Sequence, residues 1–210
     1  MKNLKVSEIF KGIQGEGLHS GRSAVFVRFA GCNLKCKFCD TKYARNEVGV
    51  SYWPPEELVD AVIELAEDCN FIVITGGEPT IQDASSLKFF LRLLKDNRFY
   101  IAMETNGTIS FDRDTFLVDW LTVSPKNDFF IQAGEELKVL VDSQFKEEDL
   151  KQYEKCNYKH FYLQPILPDE FGLHLPLQTV QEYYDCVEDL VRDHPKWKMS
   201  FQLHKLMGWR

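Results

Sequence analysis

Long apolar runs are missing from this 210-residue sequence. No stretch approaches the eighteen or so consecutive apolar residues of a membrane-spanning helix, so no membrane association is expected. The opening residues, MKNLKVSEIFKG, carry no apolar signal core, and a cytoplasmic protein is expected. Repeats, low-complexity tracts and linkers rich in Pro, Gly or Ser are also absent, so a single domain over residues 1–210 is expected. Positive charge is in deficit: 25 Lys and Arg stand against 32 Asp and Glu, a net charge of −7. Proteins that coat nucleic acid are normally basic, so no nucleic-acid partner is expected. Cysteines number only six. In a cytoplasmic chain, free thiols point to metal or redox chemistry more than to disulfides. Cys69, Cys156 and Cys186 lie far apart in sequence and read as buried lone thiols.

What is present is an alternation of short apolar runs with helical patterns. Leu4–Phe10 and Ala24–Ala30 have the period-two character of strands. PPEELVDAVIELAED opens with Pro and acidic residues, as helices do, and sets Leu58, Val62 and Leu65 on one face. Phe71–Thr75 reads as a buried strand. ASSLKFFLRLLKD reads as a helix with Leu87, Phe90, Leu91 and Leu94 on one side. Further strands are expected at Tyr100–Glu104, Trp120–Ser124, Glu136–Val141, His160–Pro165 and Lys198–Leu203. LQTVQEYYDCVEDLVRD is the last long helix, with Val180, Tyr184, Val187 and Val191 on its core face. Strands alternating with helices give an α/β fold with a mainly parallel sheet. A complete eight-fold barrel takes about 250 residues. This chain is shorter and joins several strands without a full helix, so an incomplete TIM-like barrel is expected.

In such folds the working groups sit at the C-terminal ends of strands. TGGEP, ETNG, SPK and QP all fall there. One such cluster would be a turn, but four on one edge suggest a binding rim. Beside them, Cys32, Cys36 and Cys39 stand in the spacing Cys-x3-Cys-x2-Cys. Closely spaced thiolates bind zinc or iron–sulfur clusters. Structural zinc takes four protein ligands, and neither His19 nor His160 is recommended as a fourth by its spacing. Three thiolates on a four-iron cluster leave one iron open for a cofactor or substrate.

The cysteine triplet, with Phe38 just before its third member, resembles the signature of the radical S-adenosylmethionine (SAM) superfamily. TGGEP (Thr75–Pro79) resembles that superfamily's second motif. FKGIQGEG, FVRFAGCNLKCKFCDT, ETNG, SPK and the terminal QLHKLMGWR together resemble the 7-carboxy-7-deazaguanine synthase family, over essentially the whole chain from Phe10 to Arg210. The resemblance implies a [4Fe-4S] cluster on Cys32, Cys36 and Cys39, SAM on the open iron, and an adenosyl radical that takes a hydrogen from the substrate. It implies 6-carboxy-5,6,7,8-tetrahydropterin as that substrate, ring contraction with loss of ammonia, and assistance from Mg²⁺.

Residue by residue, the resemblance assigns Thr41 to Mg²⁺, a hard cation suited by an oxygen ligand. It assigns Ile13, Gln14, Gly15 and Glu16 to the pterin edge, Arg28 to the substrate carboxylate, and Thr75 to a substrate contact. Gly77 and Glu78 fall at the SAM amino end, and Ser124, Pro125 and Lys126 along its carboxylate and ribose. Gln164 and Pro165 fall at the adenine side, and His204 and the carboxylate of Arg210 close over the pterin. Glu104, Asn106 and Lys138 are lesser rim candidates. Arg28 lies on an apolar strand, and a buried cation needs a partner. Apart from a substrate, that partner would be Glu16 or Glu104. The family implies a homodimer. Lys35, Lys37, Lys42 and Arg45 form a basic patch on an acidic protein, suited to docking a flavodoxin-type electron donor. The competing readings are a radical SAM activase acting on a protein partner and a non-enzymatic metal module.

Overall fold

The computed structural model describes residues 1–126, 129–168 and 177–208, without the side chains of 177–179. The chain opens with β1 (Leu4–Ile13) and β2 (Ser23–Phe29), an antiparallel hairpin. After the cysteine loop come a short helix α1 (Lys42–Arg45), β3 (Ser51–Trp53), which pairs antiparallel with β1, and α2 (Pro55–Ala66). Strand–helix units follow: β4 (Phe71–Gly76), α3 (Ala84–Asp96), β5 (Tyr100–Thr105), α4 (Arg113–Phe116) and β6 (Trp120–Val123). β7 (Ala133–Val141), α5 (Leu150–Glu154), β8 (Asn157–Pro165), α6 (Leu177–Asp193), β9 (Trp197–Met199) and α7 (Leu203–Met207) complete the chain.

The sheet runs β3-β1-β2-β4-β5-β6-β7-β8-β9, and every pairing from β2 to β9 is parallel. β3 and β9 are its two edges, so the barrel is open, as the sequence predicts. Strand alternation divides the core in two. One set of residues packs the sheet against α2, α3 and α6; it includes Val27, Phe29, Ile72, Ile74, Ile101, Leu137, Val139 and Leu163, with Leu58, Leu87, Phe90 and Val187 from the helices. The alternate residues Ala24, Phe26, Phe71, Val73 and Ala102 form a smaller apolar floor inside the barrel. Further along the same inner face the side chains become polar, and Arg28, Thr75, Glu104, Thr122, Lys138 and Gln164 line one cavity.

Local rules account for the helices. Pro55 opens α2, where its missing N–H costs nothing. Asp83 caps α3 by accepting from the Ser86 N–H at 3.2 Å. Leu58, Val62, Leu87, Phe90, Leu91, Leu94, Tyr184 and Val187 are buried as expected, while Leu65, Val180 and Val191 are half-buried. No helix among the described residues is long and apolar enough to cross a membrane.

Some expectations need correcting. The strand expected over Lys198–Leu203 stops at Met199; Gln202 then caps α7, and its side chain turns to the site instead of continuing a ladder. Of the three lone thiols only Cys156 is buried; Cys69 is half-buried at a strand entrance and Cys186 is exposed on the outer face of α6. The short strand β3, which carries exposed Tyr52, lies in what reads as loop.

Candidate active site

The cysteine loop connects β2 to α1 and is held by backbone as much as by side chains. Gly31 N–H donates to the Ala44 carbonyl at 2.8 Å, and Cys39 N–H to that of Cys36 at 3.4 Å. Arg45 Nη1 donates to the same Cys36 carbonyl at 2.9 Å. Arg45, expected in a docking patch, is thus partly occupied in shaping the loop; Lys35, Lys37 and Lys42 remain exposed. Cys32, Cys36 and Cys39 are half-buried and line the cavity together. Burial pushes the Cys32 thiol up, and also that of Cys36, where Lys126 acts in the opposite direction. The thiolate is the form that binds a metal, so iron would have to displace these protons. Among the described residues no three His, Cys, Asp or Glu side chains converge on a point as for one ion. Thiolates that each take a different iron of a cluster need not converge, so the donor set fits an iron–sulfur cluster with one iron left open.

The end of β4 lies against this loop. Gly77 N–H donates to the Phe29 carbonyl at 3.0 Å and Glu78 N–H to that of Gly31 at 2.9 Å. Any Cβ on Gly77 would overlap the Gly31 carbonyl and crowd Cys32, so this approach requires glycine. Glu78 is fully buried, and its carboxylate is saturated. It accepts from Thr80 N–H at 3.0 Å, Thr80 hydroxyl at 2.7 Å, Thr105 hydroxyl at 2.7 Å and Asn106 N–H at 2.7 Å. The side chain ties the ends of β4 and β5 together and leaves the backbone of Gly76 and Gly77 to face the cavity.

On the opposite wall the β1–β2 hairpin brings in Gln14, Gly15 and Glu16. Gln14 Nε2 donates to Glu104 at 2.9 Å, and Thr75 hydroxyl donates to the other oxygen of Glu104 at 3.1 Å. Glu16 is paired with Lys138, which is 5% exposed. Burial alone would lower Lys138; Glu16 and Glu104 reverse this and hold the ammonium charged well above the usual lysine range. Burial would likewise raise Glu16, and Lys138 overturns it, keeping the carboxylate ionised. The result is a buried floor of paired charges on the inner face of the sheet. Glu136, a further buried carboxyl on this face, is pushed up by burial and accepts from Leu18 N–H at 2.9 Å.

The last described residues close the wall. Leu203 N–H donates to the Gly15 carbonyl at 3.1 Å, and Gln202 Nε2 bridges Glu16 at 2.9 Å and Asp40 at 3.2 Å. Lys205 lies 3.4 Å from Asp40. Burial would raise Asp40, but Lys205, the Thr41 hydroxyl and Gln202 together hold it at about 2. Burial lowers His204, against Glu16 and Asp40, so its imidazole favours the neutral form. Lys126, beside Ser124 at 2.6 Å, is lowered to about 8, first by burial and then by Lys138.

A cavity of about 390 Å³ gathers nearly every residue singled out in the sequence. Ile13, Gln14, Gly15, Glu16, Arg28, Cys32, Cys36, Cys39, Thr41, Thr75, Gly77, Glu78, Ser124, Lys126, Gln164, Pro165 and His204 line it, and so do Glu104, Asn106 and Lys138. Pro125 is buried outside its lining, and Arg210 lies outside the described residues. The Arg28 ion pair is made neither with Glu16 nor with Glu104: its Nε donates to Glu8 at 2.8 Å, because Glu8 faces Arg28 directly across the β1–β2 ladder. Asp40, Tyr43, Gln202 and Lys205 also line the site and were not singled out in the sequence. Asp40 and Tyr43 follow the third cysteine closely, and Gln202 and Lys205 lie in the terminal QLHKLMGWR stretch, which carried a resemblance but no role for these two residues.

The Radical SAM superfamily model matches residues 26–207. A protein of Bacteroides thetaiotaomicron named 7-carboxy-7-deazaguanine synthase is 37% identical over 208 residues, covering 98% of each chain. One of the same name from Bradyrhizobium diazoefficiens is 34% identical over 223 aligned residues, again covering 98% of both. The crystal structure of QueE from Escherichia coli superposes with a TM-score of 0.70 at 24% identity, covering 95% of this chain and 94% of that one, which shows a common fold. With its cysteine loop, glycine-bearing β4 end and polar floor on one cavity, the chain belongs to the 7-carboxy-7-deazaguanine synthase family of radical SAM enzymes.

Proposed function

We propose that this cavity converts 6-carboxy-5,6,7,8-tetrahydropterin into 7-carboxy-7-deazaguanine, by ring contraction with loss of ammonia, in 7-deazapurine biosynthesis. The observation that carries the reading is that the three thiols and the Gln14–Glu16–Arg28 wall open onto the same cavity. Cys32, Cys36 and Cys39 would hold a [4Fe-4S] cluster. With SAM bound beside it, that cluster supplies the one-electron chemistry that takes a hydrogen from the substrate.

The chain's own residues orient the reactants and manage charge. The backbone at Gly77 and Glu78 meets the amino end of SAM, since the Glu78 carboxylate is committed within the protein. Ser124, Pro125 and Lys126 run along its carboxylate and ribose, and Gln164 and Pro165 lie at its adenine side. Gln14, with Ile13, Gly15 and Glu16, reads the guanine-like edge of the pterin, because an amide presents both donor and acceptor. Arg28 takes the substrate carboxylate as a fork. Thr75 and His204 close the ring from two sides, and the carboxylate of Arg210 belongs to the same closure. Thr41 supplies the oxygen for Mg²⁺, with Asp40 hydrogen-bonded to it at 3.1 Å. The apolar floor beneath excludes water, which strengthens each of these charge contacts.

The single domain works as a homodimer in the cytoplasm, reduced by a flavodoxin-type donor that docks on Lys35, Lys37 and Lys42 near the loop. The protein-activating alternative is not favoured, since the near-full-length relatives carry the synthase name. Anaerobic reconstitution with iron and sulfide, then SAM, reductant, Mg²⁺ and the carboxypterin, tests the reading by mass spectrometry. 7-Carboxy-7-deazaguanine that vanishes in Cys36→Ala supports it. 5′-Deoxyadenosine without that product removes the substrate assignment, and neither compound removes the radical assignment.

A further inference from the structure

Arg28 is held from behind by an arrangement that the reaction above leaves without a role. Its Nε donates to Glu8 Oε1 at 2.8 Å, and the same carboxylate oxygen accepts from the Tyr43 hydroxyl at 2.5 Å. The guanidinium stands 6.0 Å from the centroid of Phe10, and Phe10 is stacked on Phe26 at 4.8 Å with the rings within 7° of parallel. Arg28, Tyr43, Phe10 and Phe26 all line the cavity. Side chains of Arg28 and Glu8 are only 18% and 20% exposed, so the pair is screened little by solvent.

An arginine has five N–H donors in a rigid planar fork. When Nε is fixed and the flat face is backed by an aromatic ring, the terminal Nη1–Nη2 edge has one direction left. That edge is the one that binds a carboxylate head-on through two parallel hydrogen bonds. Tyr43 sits on α1, directly after the cysteine loop, whereas Glu8 and Arg28 are register partners of the β1–β2 hairpin. The contact therefore joins the loop that carries the thiols to the strand that carries the carboxylate-binding cation.

We propose that Glu8 and Tyr43 are positioning residues for the substrate carboxylate, setting the direction of the Arg28 fork from the cysteine-loop side of the cavity. The proposal rests on the assignment of Arg28 to that carboxylate. A general loosening of the fold would weaken every ligand alike. A misdirected fork weakens only ligands that carry the carboxylate.

The test is binding selectivity, measured anaerobically on cluster-loaded protein with SAM and Mg²⁺ but no reductant. The two probes are 6-carboxytetrahydropterin and tetrahydropterin without the carboxyl group. Wild type is expected to prefer the carboxylated probe, and Arg28→Met to abolish the preference. Tyr43→Phe is expected to cut the preference about fivefold, the worth of one hydrogen bond, with tetrahydropterin affinity unchanged. Glu8→Ala is expected to cut it further, and Glu8→Gln, which can still accept from Arg28, to restore part of the loss. If wild type or Arg28→Met fails these expectations, the carboxylate assignment falls. If both meet them and Tyr43→Phe keeps the wild-type preference within about twofold, the positioning role is wrong. The Phe variant removes one oxygen at a half-exposed position, so it remains informative if Glu8→Ala does not fold.

Discussion

Glu78 gives a sharp test of how the cavity rim is held. Its carboxylate is completely buried and accepts four hydrogen bonds, two from backbone N–H groups and two from hydroxyls. In Glu78→Ala the hydroxyls of Thr80 and Thr105 can turn to other acceptors, but the N–H groups of Thr80 and Asn106 cannot. Leaving a buried donor unpaired costs about 1–3 kcal/mol, so the two together predict a loss of about 2–6 kcal/mol. Glu78→Gln is the finer probe. Three donors point at one carboxylate oxygen and only Asn106 N–H at the other, so the amide would place its oxygen toward the three. Its NH₂ then faces the Asn106 N–H, and one orphan costs about 1–3 kcal/mol. Urea unfolding of the cluster-free protein, with the m-value checked for constancy, reads both losses. The Gln variant should also weaken SAM binding, by letting the ends of β4 and β5 separate. If Glu78→Ala stays within about 1 kcal/mol of wild type while SAM binding collapses, the carboxylate is a direct ligand and the reasoning fails.

Lys138→Met should cost at least about 3 kcal/mol in thermal or urea unfolding, because it strands the Glu16 and Glu104 carboxylates beside an uncharged neighbour in a buried site; an unchanged midpoint would show that the floor is hydrated. Asp40 has a folded value of about 2 against the usual 3.8, so it contributes stability that is fully present above pH 4 and lost as pH falls through 2. Asp40→Asn should therefore flatten the acid side of the stability–pH curve between pH 4 and 2, and a parallel curve refutes the pairing with Lys205. Lys35→Glu with Lys37→Glu should slow turnover about tenfold with flavodoxin at low salt and leave it unchanged with dithionite; equal rates with both reductants remove the docking patch.

The parts of the site visible in sequence are those built from contiguous residues. The cysteine spacing, the Gly-Gly at the end of β4 and the polar ends of β5, β6 and β8 each sit on one strand and the loop that leaves it, so period-two patterning and turn residues locate them. Alternation along β7 hid more. Glu135 and Glu136 are neighbours, yet one turns outward to Arg113 and Lys159 and the other inward to the cavity floor. The run reads as an ordinary strand with charged residues at its start, and only the register against β6 and β8 tells which charge is inside. The partner of Arg28 was hidden for the same reason: Glu8 reaches it through hairpin register, whereas the acids expected for it, Glu16 and Glu104, are engaged by Lys138, Gln14 and Thr75.

The pterin end of the cavity is the least local part, and its contacts explain why. Residues 14–17 and 200–205 meet there through Leu203 N–H on Gly15, Gly17 N–H on Ser200 and Gln202 on Glu16. Gln202 also reaches Asp40, so one amide fastens the hairpin, the cysteine loop and the last helix at a single point. Such contacts close long stretches of chain, whose entropic cost grows only slowly with length and is offset here by several hydrogen bonds. Space is arranged for them as well: a Cβ on Gly15 would come within 2.8 Å of His204 Nδ1, so this glycine serves the approach of α7 rather than a flexible turn. Read alone, QGEG is a turn and QL the end of a strand. Their joint meaning appears only when three segments far apart in the chain are fixed around one amide, and that amide holds the wall against which the pterin would be read.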